Sequence, residues 1–494
     1  MPPVPLPARL RARWSAWRAG PLLRPVLTLV GGTAAAQAVV FAARPALTRL
    51  FTPEAFGVLT VVTTVLAVAS TVASGGYRSA ILLPRGAGDR ANVLALALAV
   101  ALGTTALTAL GVWAAGRGGL AAGATALALG WLPAALLLSE VAGAVETWHT
   151  GRDRFRAVSW ARVAQSLAVV AVQVAVGLTV ARASAWSAVG LVGGVVAGFG
   201  VGALVGGAWA VIADGAVVRP ALSARRVGRL ARRYRRFPAF SAPAALLNVA
   251  ATRVPVFALV AFYGEAVVGQ FGVAYGTLAL PLGLVTGAVG QAFFARLAEA
   301  PPGDLPALTR STARGLWAFA SFPALAVLAA GPTLFAFVFG AEWADAGRYA
   351  QRIAPWVLLA SVAPPLTPVF DVLERQRDEL AVSALMLVVM VATLVWAGRT
   401  LPALDAVLAA GVAGAALRAV HLTWIARVAD LPLGAVAADA LGALGRAAPF
   451  ALVVLAVDRA GAGGAAVLAA TVAAGVATLA WEARRASAPP RLRA

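Results

Sequence analysis

The sequence predicts an all-α polytopic membrane protein with about fourteen transmembrane helices. Three observations lead there. Of 494 residues, 61% are hydrophobic and 12% charged, with a mean hydropathy of +0.84, whereas soluble domains carry about 25% charged residues. The apolar residues recur in stretches of about 20, enough to cross a hydrocarbon layer about 30 Å thick as helices, whose backbones satisfy their own polar groups. Arginine, finally, collects in alternate loops, as expected where basic residues mark the cytoplasmic side.

Splitting the apolar stretches at charged or Gly/Pro-rich breaks places the spans at 25–48, 55–83, 90–114, 118–147, 157–180, 186–213, 238–262, 266–296, 312–340, 349–374, 378–398, 402–426, 438–458 and 462–482. One set of loops holds Arg9 to Arg24, then Arg78, Arg85 and Arg90, Arg152 to Arg156, Arg219 to Arg236, Arg296 to Arg314, Arg375 and Arg377, and Arg484 to Arg493. The opposite set holds mostly single residues: Arg49, Arg117, Arg182, Arg399 and Arg459. An even number of spans with both termini in the cytoplasm of a bacterial inner membrane follows. Met1 to Pro7 carry no cleavable signal pattern, so the first span is expected to remain as a signal anchor. The net charge of +21 belongs to this topology and to anionic membrane lipids, not to a nucleic-acid partner. With no cysteine, disulfides, thiolate metal sites and thiol nucleophiles are excluded.

The most polar stretch between spans, 219–236, divides the chain into comparable halves. Val227, Leu230, Tyr234 and Phe237 recur at spacings of three and four, with Arg225, Arg229, Arg232, Arg233 and Arg236 between them, the pattern of an amphipathic helix lying at a lipid surface. The division expected is a basic tail at 1–24, an N-terminal bundle at 25–213, a linker at 214–237, a C-terminal bundle at 238–427, and two extra helices with a basic tail at 428–494. Each half opens similarly. Arg44, Pro45, Glu54 and Ala55 answer to Arg253, Pro255, Glu265 and Ala266, and about six spans per half would leave both copies in the same orientation, as a parallel repeat.

Several segments resemble the polysaccharide-type oligosaccharide flippases of the multidrug/oligosaccharidyl-lipid/polysaccharide exporter (MOP) superfamily. They are Arg49-Leu50-Phe51-Thr52-Pro53-Glu54-Ala55-Phe56-Gly57, the element Tyr77 to Pro84, the stretch 267–299, and FGAEWADAGRYAQRIAPWVLL at 339–359. The resemblance covers most of 25–430. It implies two pseudo-symmetric six-helix bundles around a central cavity open alternately to either side, with two further C-terminal helices. It also implies an undecaprenyl-pyrophosphate-linked oligosaccharide as cargo, for O-antigen, capsule or exopolysaccharide, and a polysaccharide polymerase with chain-length machinery as partners. No cofactor, metal or catalytic residue is expected.

Such a cargo needs a polar, cationic path, because bare hydroxyls and phosphates in hydrocarbon each cost several kcal/mol. Arginine suits a pyrophosphate: its planar fork pairs with phosphate oxygens and keeps its charge. Arg253 lies near mid-depth of its span, where a charge is costly. It reads as a cavity residue, against a structural ion pair or snorkelling. Arg44, its repeat mate, reads the same way, with snorkelling as the alternative. Glu140, Glu146 and Arg162 fall in one antiparallel hairpin, as a mutually neutralising set or as an ion-coupling site. Gln37, Asn248, Gln270 and Gln291 can bond sugar hydroxyls or join helices. Arg78 and Arg296 stand at cytoplasmic span ends, where topology alone accounts for them and phosphate contact is the alternative. His149 and His421 read as boundary residues. No P-loop, Gly-x-Ser-x-Gly or His-Glu-x-x-His is present, and no outward loop exceeds about ten residues, which argues against a polymerase or ligase. A cation-coupled drug exporter of the same superfamily is the remaining alternative, and the positive residues argue against it.

Overall fold

The computed structural model describes residues 23–118 and 123–487, and every regular element among them is helical. The basic tail before residue 23, and Arg491 and Arg493, lie outside the described residues. Among those described, eleven helices are long and apolar enough to span a membrane, and a bent pair makes a twelfth. The first helix and the shorter apolar stretch Thr252–Tyr263 correspond to the other two spans read from the sequence. Packing separates the chain into two compact units, Met1–Leu50 with Val62–Ala250, and Phe51–Val61 with Ala251–Ala494.

The first unit contains α1 (Leu23–Leu50), most of α2 (Pro53–Ala73), α3 (Tyr77–Ala80), α4 (Ala87–Arg117), α5 (Gly123–Leu129), α6 (Leu132–Thr150), α7 (Phe155–Thr179), α8 (Ala185–Ala221) and α9 (Ala224–Arg233). The expected single helix over 118–147 is instead broken by 41° between α5 and α6. Pro133, in the first turn of α6, cannot donate to the carbonyl of the preceding turn. Between α7 and α8 the contact is made by glycines four residues apart. A Cβ on Gly190, Gly194, Gly198 or Gly202 would collide in turn with Val176, Gln173, Val169 and Gln165. In lipid, where apolar area gives helices little reason to associate, such close backbone approach supplies the packing energy. At one end of α8, Asp214 accepts from Trp148 Nε1 at 2.9 Å and from Arg154 at 2.6 Å and pairs with Arg152 at 3.3 Å, so part of the arginine loop that reports topology also ties α6 to α8.

The basic linker corrects an expectation. Its arginines 225, 229, 232, 233 and 236 are exposed as the pattern requires, but the apolar face is not left to lipid. Leu230 is buried with Tyr77, Ala80, Ile81, Val93, Leu96 and Ala144, and Val227, Tyr234 and Phe237 pack against the same cluster. The Tyr77 hydroxyl donates to the Ala231 carbonyl at 3.3 Å. The element Tyr77 to Pro84 is therefore the socket of the linker helix. The left-handed turn at Gly75 and Gly76, φ 58° and 73°, delivers Tyr77 into it, a conformation glycine adopts without strain.

The second unit contains the start of α2 and, after a π-helical turn at Phe237–Ser241, α10 (Ala242–Tyr263), α11 (Glu265–Glu299), α12 (Leu305–Phe339), α13 (Ala344–Ala360), α14 (Pro368–Val372), α15 (Gln376–Thr400), α16 (Ala403–Val428), α17 (Leu433–Arg459) and α18 (Gly464–Ser487). The span expected over 349–374 is two helices, interrupted after Ala360 and carried through a 3-10 turn at Pro364–Leu366, where prolines 364, 365 and 368 prevent a continuous ladder. In α12 the backbone leaves helical angles at Ala330. Pro332 removes the donor for the Leu328 carbonyl, and the Gln351 side chain donates to that carbonyl instead, at 2.9 Å. Gly331 and Gly347 approach so closely that a Cβ on either would overlap the other strand of backbone.

The segments carrying the resemblance turn out to be contact surfaces. A Cβ on Gly57 would overlap the Glu265 carbonyl, and one on Gly269 the Pro53 carbonyl. The contact is reciprocal, because one chain offset relates Pro53 to Glu265, Gly57 to Gly269, and Thr60 to Gly272, whose missing Cβ would stand 2.7 Å from the Thr60 hydroxyl. That offset differs by one residue from the match of Glu54 with Glu265 read from sequence. Phe56 meets Trp343 edge-on at 5.1 Å, and Phe339, Trp343 and Ala346 are buried. The last two helices pack Ala447, Val454, Val467 and Ala474 onto Phe322, Ala326, Ala330 and Leu334 of α12.

Candidate functional site

Each unit holds a group of polar side chains inside its apolar helices. In the first, α1, α2, α6, α7 and α8 and the short α3 surround a cavity of about 590 Å³ lined by Thr33, Gln37, Ser70, Arg78, Glu146 and Arg162, among others. Four sequence-predicted residues thus meet here: Gln37, Arg78, Glu146 and Arg162. Arg162 forms a two-pronged pair with Glu146 and also donates to the Thr33 hydroxyl. Glu140 is not part of that pair. It is 1% exposed and accepts from Arg78 Nη1 at 3.2 Å. Arg78 fits because Gly143 lacks a side chain; a Cβ there would stand 2.6 Å from the guanidinium. Two guanidinium groups and two carboxylates leave this wall without excess charge, and hydroxyls and amides complete it. It can hydrogen-bond neutral hydroxyl groups without holding a bare ion in low dielectric.

The second unit is different. Arg253, on α10, is exposed, and no hydrogen bond or ion pair to it occurs among the described residues. It lies within electrostatic reach of Tyr275 on α11, as does Arg418 on α16. Arg418 Nη1 donates to His421 Nδ1 at 3.3 Å, and His421 Nε2 is 2.9 Å from Glu379 Oε2 on α15. Because a guanidinium can only donate, Nδ1 is the acceptor, so the ring proton resides on Nε2 and points at Glu379. Phe370 stacks on the imidazole at 6.0 Å, and Phe271 and Trp356 pack beside Tyr275, each at 5.9 Å. His421 is buried among these helices, 1% exposed. His149 is buried too, with Nε2 2.9 Å from the Gly206 carbonyl.

The other expected residues are dispersed. Arg44 is partly buried in α1, has Nη1 without a hydrogen-bond partner among the described residues, and lies over the Phe41 ring at 6.0 Å. Gln270 donates to the Glu342 carbonyl at 2.7 Å, tying α11 to the turn that carries Trp343. Gln291 lines a separate cavity of about 420 Å³ with Thr286, Pro365 and Asp371. Arg296 is exposed near the end of α11. Asn248 lies on α10, and its side chain is outside what the structure describes. The residues missed from sequence are Arg418, Tyr275 and Glu379. The signal was available in Arg418 and His421, two polar residues three apart and so on one face of an apolar span.

Helices and polar groups of this kind define a multi-pass membrane protein with the fold of MOP-superfamily transporters. The structure resembles a lipid II flippase, MurJ, in an inward closed conformation, with a TM-score of 0.67 at 9% identity, over 94% of this chain and 99% of that one. It also resembles an inward-facing multidrug resistance MATE family transporter, with a TM-score of 0.63 at 15% identity, over 82% and 96%. A third similar structure is a MOP superfamily transporter from Pyrococcus furiosus, with a TM-score of 0.51 at 13% identity, over 82% and 94%. No curated protein matches the sequence. The chain belongs to the polysaccharide biosynthesis protein family, which it matches over residues 46–348.

Proposed function

We propose that the protein is a flippase that carries undecaprenyl-pyrophosphate-linked oligosaccharide repeat units across the bacterial inner membrane by alternating access, for O-antigen, capsule or exopolysaccharide synthesis. The observation that carries this reading is Arg253, an exposed cation on an apolar helix with no carboxylate closing on it among the described residues, in a chain of a polysaccharide biosynthesis family. An unpaired guanidinium at that depth is costly, and a pyrophosphate is the anion that offsets the cost, by bidentate hydrogen bonding. The charge-balanced cavity of the first unit suits the sugar hydroxyls. The lipid tail stays in the bilayer. The alternation of arginine-rich loops supports cytoplasmic termini, and the exposed arginines of α9 suit anionic lipid headgroups, each contributing on the order of 1 kcal/mol.

The test is lipid analysis of a deletion strain. Accumulated undecaprenyl-linked repeat units together with lost surface polysaccharide are expected, and unchanged levels of both would overturn the proposal.

A further inference from the structure

We infer that α12 and the last two helices hold one anionic phospholipid of the inner leaflet, its phosphate on Arg446 and Arg485 and an acyl chain along Phe450 and Trp481. The site shares no residue with either polar group described above and does not depend on the flippase reading. The three helices pack closely where Ala447, Val454, Val467 and Ala474 meet Phe322, Ala326, Ala330 and Leu334. Toward the arginine-rich ends the lining positions include Gly315, Ala318, Ala438 and Gly442, too small to fill the space between the helices, and a cavity of about 730 Å³ remains. A Cβ on Gly315 would meet no atom within 4 Å. A second cavity, of about 880 Å³, adjoins the first: Arg446 and Arg485 line both, and the second continues along Phe450, Ala477 and Trp481. One part is charged and the other largely apolar, which is the two-part chemistry of a lipid and not of a soluble anion.

Charge decides the class of lipid. Arg446 donates from Nε to Glu482 at 2.6 Å, and Arg314 from Nε to Asp439 at 2.8 Å. Arg310 also donates to Asp439, from Nε at 2.7 Å. Arg485 is exposed and makes no hydrogen bond or ion pair among the described residues. Four arginines thus stand against two carboxylates, and the Nη groups of Arg314 and Arg446 remain for another acceptor. The carboxylates orient the guanidinium groups without neutralising the cavity. A phosphodiester offers oxygens that accept such N–H groups in pairs. A zwitterionic headgroup brings its own cation, which the excess arginine charge repels, so phosphatidylglycerol is favoured over phosphatidylcholine. Arg446 lies midway along α17, where a guanidinium facing apolar surroundings is costly and an anion offsets the cost. The positive-inside pattern puts Arg314 and Arg485 at the inner leaflet, where basic pockets between spans take anionic headgroups. Seated there, the lipid fills the gap between α12 and the last two helices.

The experiment is native mass spectrometry of the full chain released from nanodiscs of equal parts phosphatidylcholine and phosphatidylglycerol. Wild type is expected to retain one phosphatidylglycerol about tenfold more often than phosphatidylcholine. Two variants leave the partners of every ion pair around the cavity in place: Arg485→Gln removes the unpaired charge, and Gly315→Leu fills the space. Arg485→Gln should lower the preference by about fivefold, and Gly315→Leu should abolish it. Arg229→Gln, which removes an exposed arginine from α9, should leave it unchanged. No preference in wild type, or a preference unchanged in Arg485→Gln or in Gly315→Leu, would overturn the inference. An equal loss in Arg229→Gln would reduce the effect to general surface attraction and overturn it too. Displacement of the retained phosphatidylglycerol by undecaprenyl phosphate supplied in equal amount would assign the cavity to the cargo's carrier lipid and overturn it likewise.

Discussion

Arg162 closes on Glu146 and Arg78 on Glu140, while nothing comparable meets Arg253 among the described residues. Polar residues in apolar spans thus divide into those that satisfy one another and those that await a partner. Composition could not make this division, because it depends on which helices face each other. The sequence places Glu140, Glu146 and Arg162 in one hairpin, but only the structure shows that Glu140 turns to Arg78 on α3. Removing one member of the Glu146 and Arg162 pair leaves the other charged and about two-thirds covered. Arg162→Ala is expected to lower stability by about 1–2 kcal/mol, below the range for fully buried pairs because both side chains are about one-third exposed. Adding Glu146→Ala should recover part of that loss, and thermal unfolding of the purified single and double variants measures it.

At the scale of the helix, the segments most legible in the sequence are the ones that hold helices together. Gly57, Gly269, Trp343 and Gly347 lie at helix crossings and turns, not on the polar walls. They were legible through their resemblance to a family, and the structure shows why glycine stands at Gly57, Gly269 and Gly347: the close backbone approach there demands it. Gly269→Ala would drive a methyl group into the Pro53 carbonyl, a backbone atom that cannot swing aside, so a loss of about 1–3 kcal/mol is expected. Gly111→Ala, with no atom within 4 Å of the added carbon, should change stability by less than about 1 kcal/mol. Comparing melting temperatures of the two variants tests this. The linker gives a second case. Periodicity identified Val227, Leu230, Tyr234 and Phe237 as one face, but not what covers that face, since lipid and protein present the same apolar chemistry. Leu230→Ala should loosen α9 from Tyr77 and Ile81 by about 2–3 kcal/mol and speed tryptic cleavage within 224–236. Cleavage at the wild-type rate would show that the packing does not hold α9.

Across the whole molecule, the all-helical membrane class was legible because the bilayer imposes a fixed length and a fixed polarity on each span, whereas eleven to twelve of the fourteen spans read from the sequence are long and apolar enough to cross among the described residues. The breaks at Trp131 and after Ala360 were not, since a proline beside a break reads in sequence like a proline tolerated within a helix, as Pro281 is in α11. The second polar group was hidden for a related reason: Arg253, Tyr275, Glu379 and Arg418 come from four helices far apart in the chain, and no single window contains more than two of them.

The central claim is movement of a lipid-linked oligosaccharide with Arg253 engaged on its phosphates. The measurement that tests it most directly is transbilayer transfer in proteoliposomes, followed by the accessibility of the sugar to an added glycosidase that cannot cross the membrane. Wild-type protein is expected to expose inner-leaflet sugar, Arg253→Ala to behave like protein-free vesicles, and Arg253→Lys to retain part of the rate, because a point charge replaces the fork. Equal transfer by wild type and Arg253→Ala, or no transfer by wild type beyond protein-free vesicles, would contradict the account.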